Sequence, residues 1–446
     1  MVNSDPKKIV DVLSRGVSEI IVKNDLQRKL LSGEKLRLYF GIDPTGLLLH
    51  LGHAVVLRKL QEFANLGHEV ILLIGDFTAK IGDPTGRDAM RVPLTDKQIK
   101  ENFKNYKQQA SKVLDFSKIK IKYNSAWLSK LNFDKIIELS SHITVQQMLQ
   151  RDMFKKRMNI ILQCPKCGRE IPFPVKESDD RKILESITPG RDIVPICSKC
   201  GYGKNMEQEN KWIQKNPSGP VGLNEFLYPL MQGYDSVVMD VDLEIGGNDQ
   251  LFNMLIGRDL QKKLNQKDKD VLAVNLLLGT DGRKMSKTYD NAIYLNDLPN
   301  DMFGKIMSIN DELIRDYVEL CTNLDSQEIK KIPNPRDQKV LLAKEIVKIY
   351  YGEEEARKAE EEFNKIFRDK GVPSEIEKFK IDGPITITDL LVKAGLAPSK
   401  SEAKRLILQH GVKIDGIVQQ DWRSIITMQK GKHTIQVGKR KFLELI

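Results

Sequence analysis

Arg37–Ile42 (RLYFGI) is a short unbroken apolar run, the pattern of a strand buried on both faces. Downstream, Val56, Leu57, Leu60, Phe63 and Ala64 recur at helical period, and Gly67 stands where a left-handed C-cap is expected. Glu69–Ile74 (EVILLI) then reads as a second strand, giving a β–loop–α–β unit with His50-Leu-Gly-His53 at its loop-to-helix junction. Val237–Glu244, the glycine turn Gly246-Gly247 and a helix over Phe252–Lys263 repeat the strand–turn–helix arrangement. Residues 1–36 read as two helices; residues 95–160 read as helical runs around one short strand, Lys120–Tyr123, closing on a polar helix over 145–158. Residues 297–370 are helical and charged, and 371–384 form a linker with two prolines and two glycines. In 385–446, Gly395 ends a first helix, Ser399 and Glu402 form a capping box for a second that Gly411 ends, and Asp415-Gly416 turns a hairpin.

This pattern predicts an α/β fold: a Rossmann-like parallel-sheet domain over 1–296, a helical domain over 297–370 and a small α+β domain over 385–446. A Pro/Gly-punctuated stretch of about 160–216 differs in composition and reads as an insertion into the first domain. It carries Cys164, Cys167, Cys197 and Cys200 as two CxxC pairs, each followed by glycine. In a chain without secretory features this spacing predicts structural Zn²⁺, with redox or degenerate cysteines as the other reading. Cys321 reads as a core thiol. No apolar run long enough for a membrane helix is present, and the N-terminal segment is mixed in charge, so a cytoplasmic location and no membrane partner are expected. The chain carries 71 Lys and Arg against 61 Asp and Glu. Residues 383–446 hold 11 basic against 5 acidic residues, a balance suited to a polyanion.

Three stretches carry candidate chemistry. A helix N-terminus offers unpaired N–H groups to an anion, and at its start here two imidazoles flank Gly52, which lets a flat ligand approach the backbone. Neither GxxxxGK[ST] nor GxGxxG follows a strand, so the common nucleotide fingerprints are absent. Lys284-Met285-Ser-Lys287-Thr288 supplies two ammonium groups in one loop. Tyr228, Gln232 and Asp235, at i, i+4 and i+7, place three polar tips on one helix face.

HxGH followed by KMSK[ST] resembles the two signatures of class I aminoacyl-tRNA synthetases. From about residue 30 onward, the order YFGIDPTG, HLGHAVVL, IGDPTGR, NEFLYPLMQGYDS, IGGNDQ and KMSKT is similar to the bacterial tyrosyl-tRNA synthetases, and the last 62 residues resemble their S4 RNA-binding module. The resemblance implies tyrosine–tRNA ligase activity, with L-tyrosine, ATP, Mg²⁺ and tRNA(Tyr) as ligands and a homodimer as the working form. It implies that Asp83 and Asp235 read the tyrosine phenol, with Tyr39 beside it. Tyr228 and Gln232 would meet the α-amino group, and Gln250 the carboxylate. ATP would be held by Gly41, Asp43, Gly52, Gly247, Asp249 and Met285, and catalysis would fall to Thr45, His50, His53, Lys284, Lys287 and Thr288. Lys400, Lys404 and Arg405 would contact tRNA. The tryptophan-specific relatives share the class I pocket; the S4 module and the paired aspartates favour tyrosine. This chain departs from the pattern at Asn248, where a small hydroxyl residue is commoner, at Ala126, where an acid is expected, and in the cysteine insertion, which falls in the segment expected near the dimer interface and the acceptor stem.

Overall fold

The computed structural model describes residues 2–83, 94–151, 154, 160–164, 166–168, 170–173, 199–200, 213–215, 221–286, 289–368, 377–381, 383–427, 433–438 and 441–446. These residues divide into two compact units: 1–296 with 309–329, and 297–308 with 330–446.

The first unit is built on a six-stranded sheet: β1 (Val17–Ile21), β2 (Arg37–Ile42), β3 (Glu69–Ile74), β4 (Ile119–Tyr123), β5 (Leu243–Gly247) and β6 (Asp270–Val274), in spatial order β1-β6-β5-β2-β3-β4. All neighbours are parallel except β1 and β6. Every residue of β5 and β6 is buried, as is all of β3 after Glu69, which accounts for the unbroken apolar runs. Strand order reverses at β2, which has β3 on one side and β5 on the other. A crevice beyond the carboxyl ends of the strands is the expected ligand position there. Three helices border that crevice: α1 (Leu51–Asn65), α2 (Leu223–Met239) and α3 (Leu251–Asn265). The α2–α3 crossing is close, because a Cβ on Gly233 would stand 3.2 Å from the Gly257 Cα.

Several elements differ from the sequence expectation. Between the two N-terminal helices lies β1, an edge strand paired only through long-range contacts with β6. Val237–Met239, read as the start of a strand, instead finish α2. Asp240 takes a left-handed conformation (φ 49°), and the Asn265 side chain, 28 residues away, caps the Val237 carbonyl. Of the polar helix expected over 145–158, Val145–Met148 is helical, residues 149–151 are turn and bend, and Phe154 is helical again. Residues 309–329, expected with the helical segment, belong to the first unit, where the Arg15 guanidinium donates to the carbonyls of Val318, Glu319, Thr322 and Leu324 at 2.9–3.1 Å. Cys321 is buried as expected, and burial pushes its thiol up to about 12.

Within the inserted stretch, Glu170–Phe173, Ile160–Gln163 and Ile213–Lys215 form a three-stranded antiparallel sheet.

In the second unit, the segments Ile387–Lys393 and Lys400–Leu408 are helices on a five-stranded sheet, around a core that includes Leu390, Leu391, Ile407, Ile435 and Leu443. The Asp415-Gly416 turn has φ of 50° and 81°, the backbone a two-residue hairpin requires. Half of the predicted capping box forms: the Ser399 side chain accepts from Glu402 N–H at 3.2 Å, whereas the Glu402 carboxylate turns to Arg405. His410 (φ 58°), not Gly411, is the left-handed residue past that helix. The expected linker contributes a strand, Glu377–Phe379, parallel to Lys441–Leu445.

Candidate active site

Every residue expected to contact tyrosine or ATP, among those described, lines one cavity of about 370 Å³ in the first unit. Its floor is the carboxyl end of β2 and β5. Tyr39, Gly41, Asp43 and Thr45 come from β2 and its loop, and Gly247, Asp249 and Gln250 from the β5 turn. Its sides are the N-terminus of α1, with His50, Gly52 and His53, and the inward face of α2, with Tyr228, Gln232 and Asp235. Lys284 and Met285 close it from the loop after β6. Lys287, Thr288 and Cys197 lie outside the described residues.

Backbone pairing explains how Lys284 reaches histidines some 230 positions earlier. Leu51 N–H donates to Ile293 O and Leu295 N–H to Leu49 O, both at 2.9 Å, which stitches the segment after the lysine loop to the α1 junction. Asn291 then holds the loop itself: its side chain donates to Asp281 and to Lys284 O, and accepts from Ser286 N–H at 2.8 Å. A Cβ on Gly279 would stand 2.4 Å from the Asn291 side chain, so glycine is required there.

At the α1 end, His53 Nδ1 accepts the His50 backbone N–H at 3.2 Å, and the two rings lie 3.9 Å apart. Burial, with the Lys284 ammonium in support, pulls His53 down to about 4. Burial first, then His53 and Lys284, hold His50 well below the usual imidazole range. Both rings are therefore neutral at pH 7, and His53, with Nδ1 accepting, carries its proton on Nε2. A Cβ on Gly52 would approach the His50 ring to 3.0 Å. Lys284 Nζ rests on Asp249 Oδ2 at 2.8 Å, half exposed at the mouth.

At the other end, Asp235 accepts from Trp127 Nε1 at 2.7 Å and Asn124 Nδ2 at 3.2 Å. Burial pushes its carboxyl well above the usual range, against the pull of those two donors. Tyr39 Oη lies 2.9 Å from Ser236 Oγ, and burial keeps the phenol protonated, as it does Tyr228.

Two expected roles meet different partners in the structure. Asp83 shares the cavity with Asp235, yet its carboxylate is taken up by Arg151 at 3.0 Å and Gln250 at 2.5 Å. Gln250 in turn bonds Asn253, and Asn253 bonds Gln232, so Asp83 is linked to Gln250 and Gln232. Asp43, expected at ATP, accepts from Thr78 Oγ1 at 2.7 Å and from Tyr228 Oη at 2.9 Å. It fixes Tyr228 in the cavity, and a Cβ on Gly75 would overlap its Oδ1. The sequence reading missed Asn124, Trp127, Arg151, Ser236, Glu244 and Lys269. A lone acid inside the apolar strand LEIGG was the one available signal, at Glu244.

In the insertion, the Sγ atoms of Cys164, Cys167 and Cys200 lie within 4.8 Å of one another, and Cys164 and Cys200 are 3.6 Å apart. In the second unit, Lys400 pairs with Asp389 at 2.6 Å, Arg405 with Glu402, and Lys404 Nζ sits 4.3 Å from the Trp422 ring, with Arg423 4.5 Å from the same ring.

Residues 31–164 and 181–368 match the family described as tRNA synthetases class I (W and Y), the unmatched interval falling within the insertion. Residues 362–445 match the tyrosine–tRNA ligase SYY-like C-terminal domain. The tyrosine–tRNA ligase of Thermotoga maritima is 40% identical over 99% of this chain and 98% of its own length; that of Mannheimia succiniciproducens is 41% identical over 98% of both. Among solved structures, a tyrosyl-tRNA synthetase from Archaeoglobus fulgidus complexed with L-tyrosine is 21% identical, covers 80% of this chain and 99% of its own, and superposes with a TM-score of 0.54. A truncated mitochondrial tyrosyl-tRNA synthetase from Aspergillus nidulans, at 20% identity, covers 81% and 94% with a TM-score of 0.57, so the fold is shared with both. With a matching family along most of its length and full-length relatives at 40% identity or more, the chain belongs to the class I tRNA synthetases (W and Y).

Proposed function

We propose that this chain is a tyrosine–tRNA ligase, which joins L-tyrosine to ATP as tyrosyl-adenylate and then passes the tyrosyl group to the terminal adenosine of tRNA(Tyr). The observation that carries this reading is one cavity with a buried end, at Tyr39 and Asp235, and an anion-ready end, at His50, His53 and Lys284.

The first step is an in-line attack of the tyrosine carboxylate on the α-phosphorus, with pyrophosphate leaving. A carboxylate is ionised at neutral pH, so no general base is needed. The protein positions the two reactants and stabilises charge growing on phosphate oxygens. Neutral His50 and His53, the Thr45 hydroxyl and the N–H groups opening α1 donate to the triphosphate, and Lys284 leaves Asp249 for the pyrophosphate. Asp235 and Tyr39 take the phenol. Tyr228, Gln232 and Asp83 take the ammonium group, an assignment of Asp83 that follows its hydrogen bond to Gln250. Mg²⁺ would arrive with ATP and be held by its phosphates, since among the described residues the one metal-ready cluster is made of cysteines.

That cluster suits Zn²⁺. A tetrahedral site with Zn–S of about 2.3 Å sets sulfurs about 3.8 Å apart, close to the 3.6 Å between Cys164 and Cys200. Gly168 (φ 71°) closes the turn that returns its N–H to Cys164 O at 2.9 Å, and Cys197 would be the fourth ligand. A closed four-thiolate site holds structure and does no chemistry. Exposed apolar residues Phe133 and Ile137, on the helix Phe133–Ser141, and Leu223 and Leu227, at the start of α2, lie on two helices in contact and support a homodimer. Lys400, Lys404 and Arg405, with Trp422, would meet tRNA. No described helix is long and apolar enough to cross a membrane.

The test is amino-acid-dependent ATP–pyrophosphate exchange. Tyrosine should drive it; exchange driven by tryptophan and not tyrosine overturns the reading.

A further inference from the structure

Directly beneath the tyrosine end of the cavity lies an ion pair that the proposed chemistry does not use. Lys269, with no solvent exposure, stands just before β6, and its Nζ bonds the Glu244 carboxylate on β5. The same Nζ donates to Ser236 Oγ at 2.8 Å, and Ser236 Oγ lies 3.3 Å from Glu244 Oε2 and 2.9 Å from Tyr39 Oη. Room for the ammonium is built in: a Cβ on Gly257 would stand 2.6 Å from Nζ. Removing two charges from water costs several kcal/mol per ion before they attract each other, so a buried pair is weak evidence of a stability role.

Hydrogen-bond directions give it another. A lysine ammonium only donates and a carboxylate only accepts. Ser236 owns one proton, and its carboxylate neighbour draws that proton to Glu244 Oε2. Its lone pairs are then left to receive Lys269 Nζ–H and the Tyr39 hydroxyl proton. Tyr39 is thus forced to donate inward, and its free lone pair faces the cavity.

We propose that Lys269, acting through Glu244 and Ser236, is a positioning residue that orients the Tyr39 hydroxyl as an acceptor toward the cavity, so that the site selects an amino acid whose ring presents an O–H donor. Phenylalanine offers no such donor, and the oriented lone pair of Tyr39 would then be buried without a partner. The same Glu244 accepts from Gln232 Nε2 at 3.2 Å, which ties the phenol reader to the network at the ammonium end.

The inference rests on the tyrosine reading, and the experiment separates the two. Pyrophosphate exchange is measured with tyrosine and with phenylalanine for wild type, Ser236→Ala and the double variant Lys269→Met/Glu244→Gln, which avoids leaving one buried charge alone. Both variants should lower kcat/KM for tyrosine about tenfold or more, while the phenylalanine value moves less than about twofold, so that the tyrosine-to-phenylalanine ratio falls. A structural role would depress both amino acids together. Equal losses, or an unchanged ratio in the double variant, overturn the role of Lys269; a wild-type protein inactive with tyrosine overturns the functional reading instead.

Discussion

Replacement of Lys284 by alanine separates chemistry from amino-acid binding. In the resting structure its Nζ is paired with Asp249 at 2.8 Å, with the two side chains 53% and 23% exposed. A pair so exposed contributes about 1 kcal/mol at most, so releasing the ammonium from Asp249 costs less than about tenfold in rate. Contact with a leaving pyrophosphate is worth more: loss of one donor to a developing anion costs about 10²–10³ in rate, or about 2.7–4 kcal/mol. The second effect wins, and Lys284→Ala should slow tyrosyl-adenylate formation about 100-fold or more. An indirect route through the histidines is small. Lys284 does help depress both imidazoles, but burial is the larger cause in each, so they stay neutral at pH 7.5 without it. Tyrosine affinity should stay within about threefold, because Tyr39, Asp235, Tyr228 and Gln232 have no hydrogen bond to Lys284. Rapid-quench measurement of adenylate formation, beside equilibrium tyrosine binding followed by fluorescence, reads both quantities. Equal losses in the two, or less than a tenfold loss in adenylation, would refute the assignment.

Three further outcomes are expected. Arg151→Met strips the mostly buried guanidinium from Asp83, so kcat/KM for tyrosine should fall about tenfold to 100-fold, with KM for ATP little moved; steady-state exchange would expose an unchanged tyrosine KM as the contrary result. Cys164→Ser/Cys167→Ser should abolish stoichiometric zinc in metal analysis of the purified protein and lower its thermal midpoint, and a variant that keeps zinc, dimerisation, tRNA charging and midpoint would show the cluster to be idle. His68 accepts the Leu36 N–H through Nδ1 at 3.3 Å, and burial, with Lys35 in support, holds it down to about 4. The unfolded chain therefore binds the extra proton first, and stability is lost as pH falls from about 6.5 towards about 4, by about 2 kcal/mol between pH 7 and pH 5. His68→Gln should remove that share of the pH dependence in urea unfolding, and identical slopes would count against it.

Local chemistry was readable wherever one segment carries both its pattern and its partners. The α1 junction, the Tyr228–Gln232–Asp235 face and the Asp415-Gly416 turn depend on residues a few positions apart, and all three form as expected. What was missed depends on distant groups. β1 has a weak apolar pattern, Val17-Ser-Glu-Ile-Ile, and exists because β6 offers it an edge some 250 residues later. The end of α2 looked like a strand because Val237, Met239, Val241 and Leu243 alternate; a side chain from α3 overrules that period. Asp83 was placed by motif alone, and its bonds to Arg151 and Gln250, each more than 60 residues away in the chain, could not be read from that motif.

The same distinction explains how the site is held. Four candidate tyrosine contacts rest on partners from other elements: Tyr228 on Asp43, Asp235 on Trp127 and Asn124, Gln232 on Glu244 and Asn253, Tyr39 on Ser236. A pocket that must reject a ligand lacking one oxygen cannot let its polar groups turn away to satisfy one another, because the penalty for the wrong ligand is the partner left unpaired. Fixing every donor from behind keeps that penalty in force. The cost is a set of buried polar groups that stabilise little by themselves, which is why the sequence shows them as isolated acids and amides in apolar surroundings. Glu244, inside the otherwise apolar β5, is the clearest instance: its burial is unfavourable until Lys269, Ser236 and Gln232 surround it, the first standing just before β6 and the other two on α2.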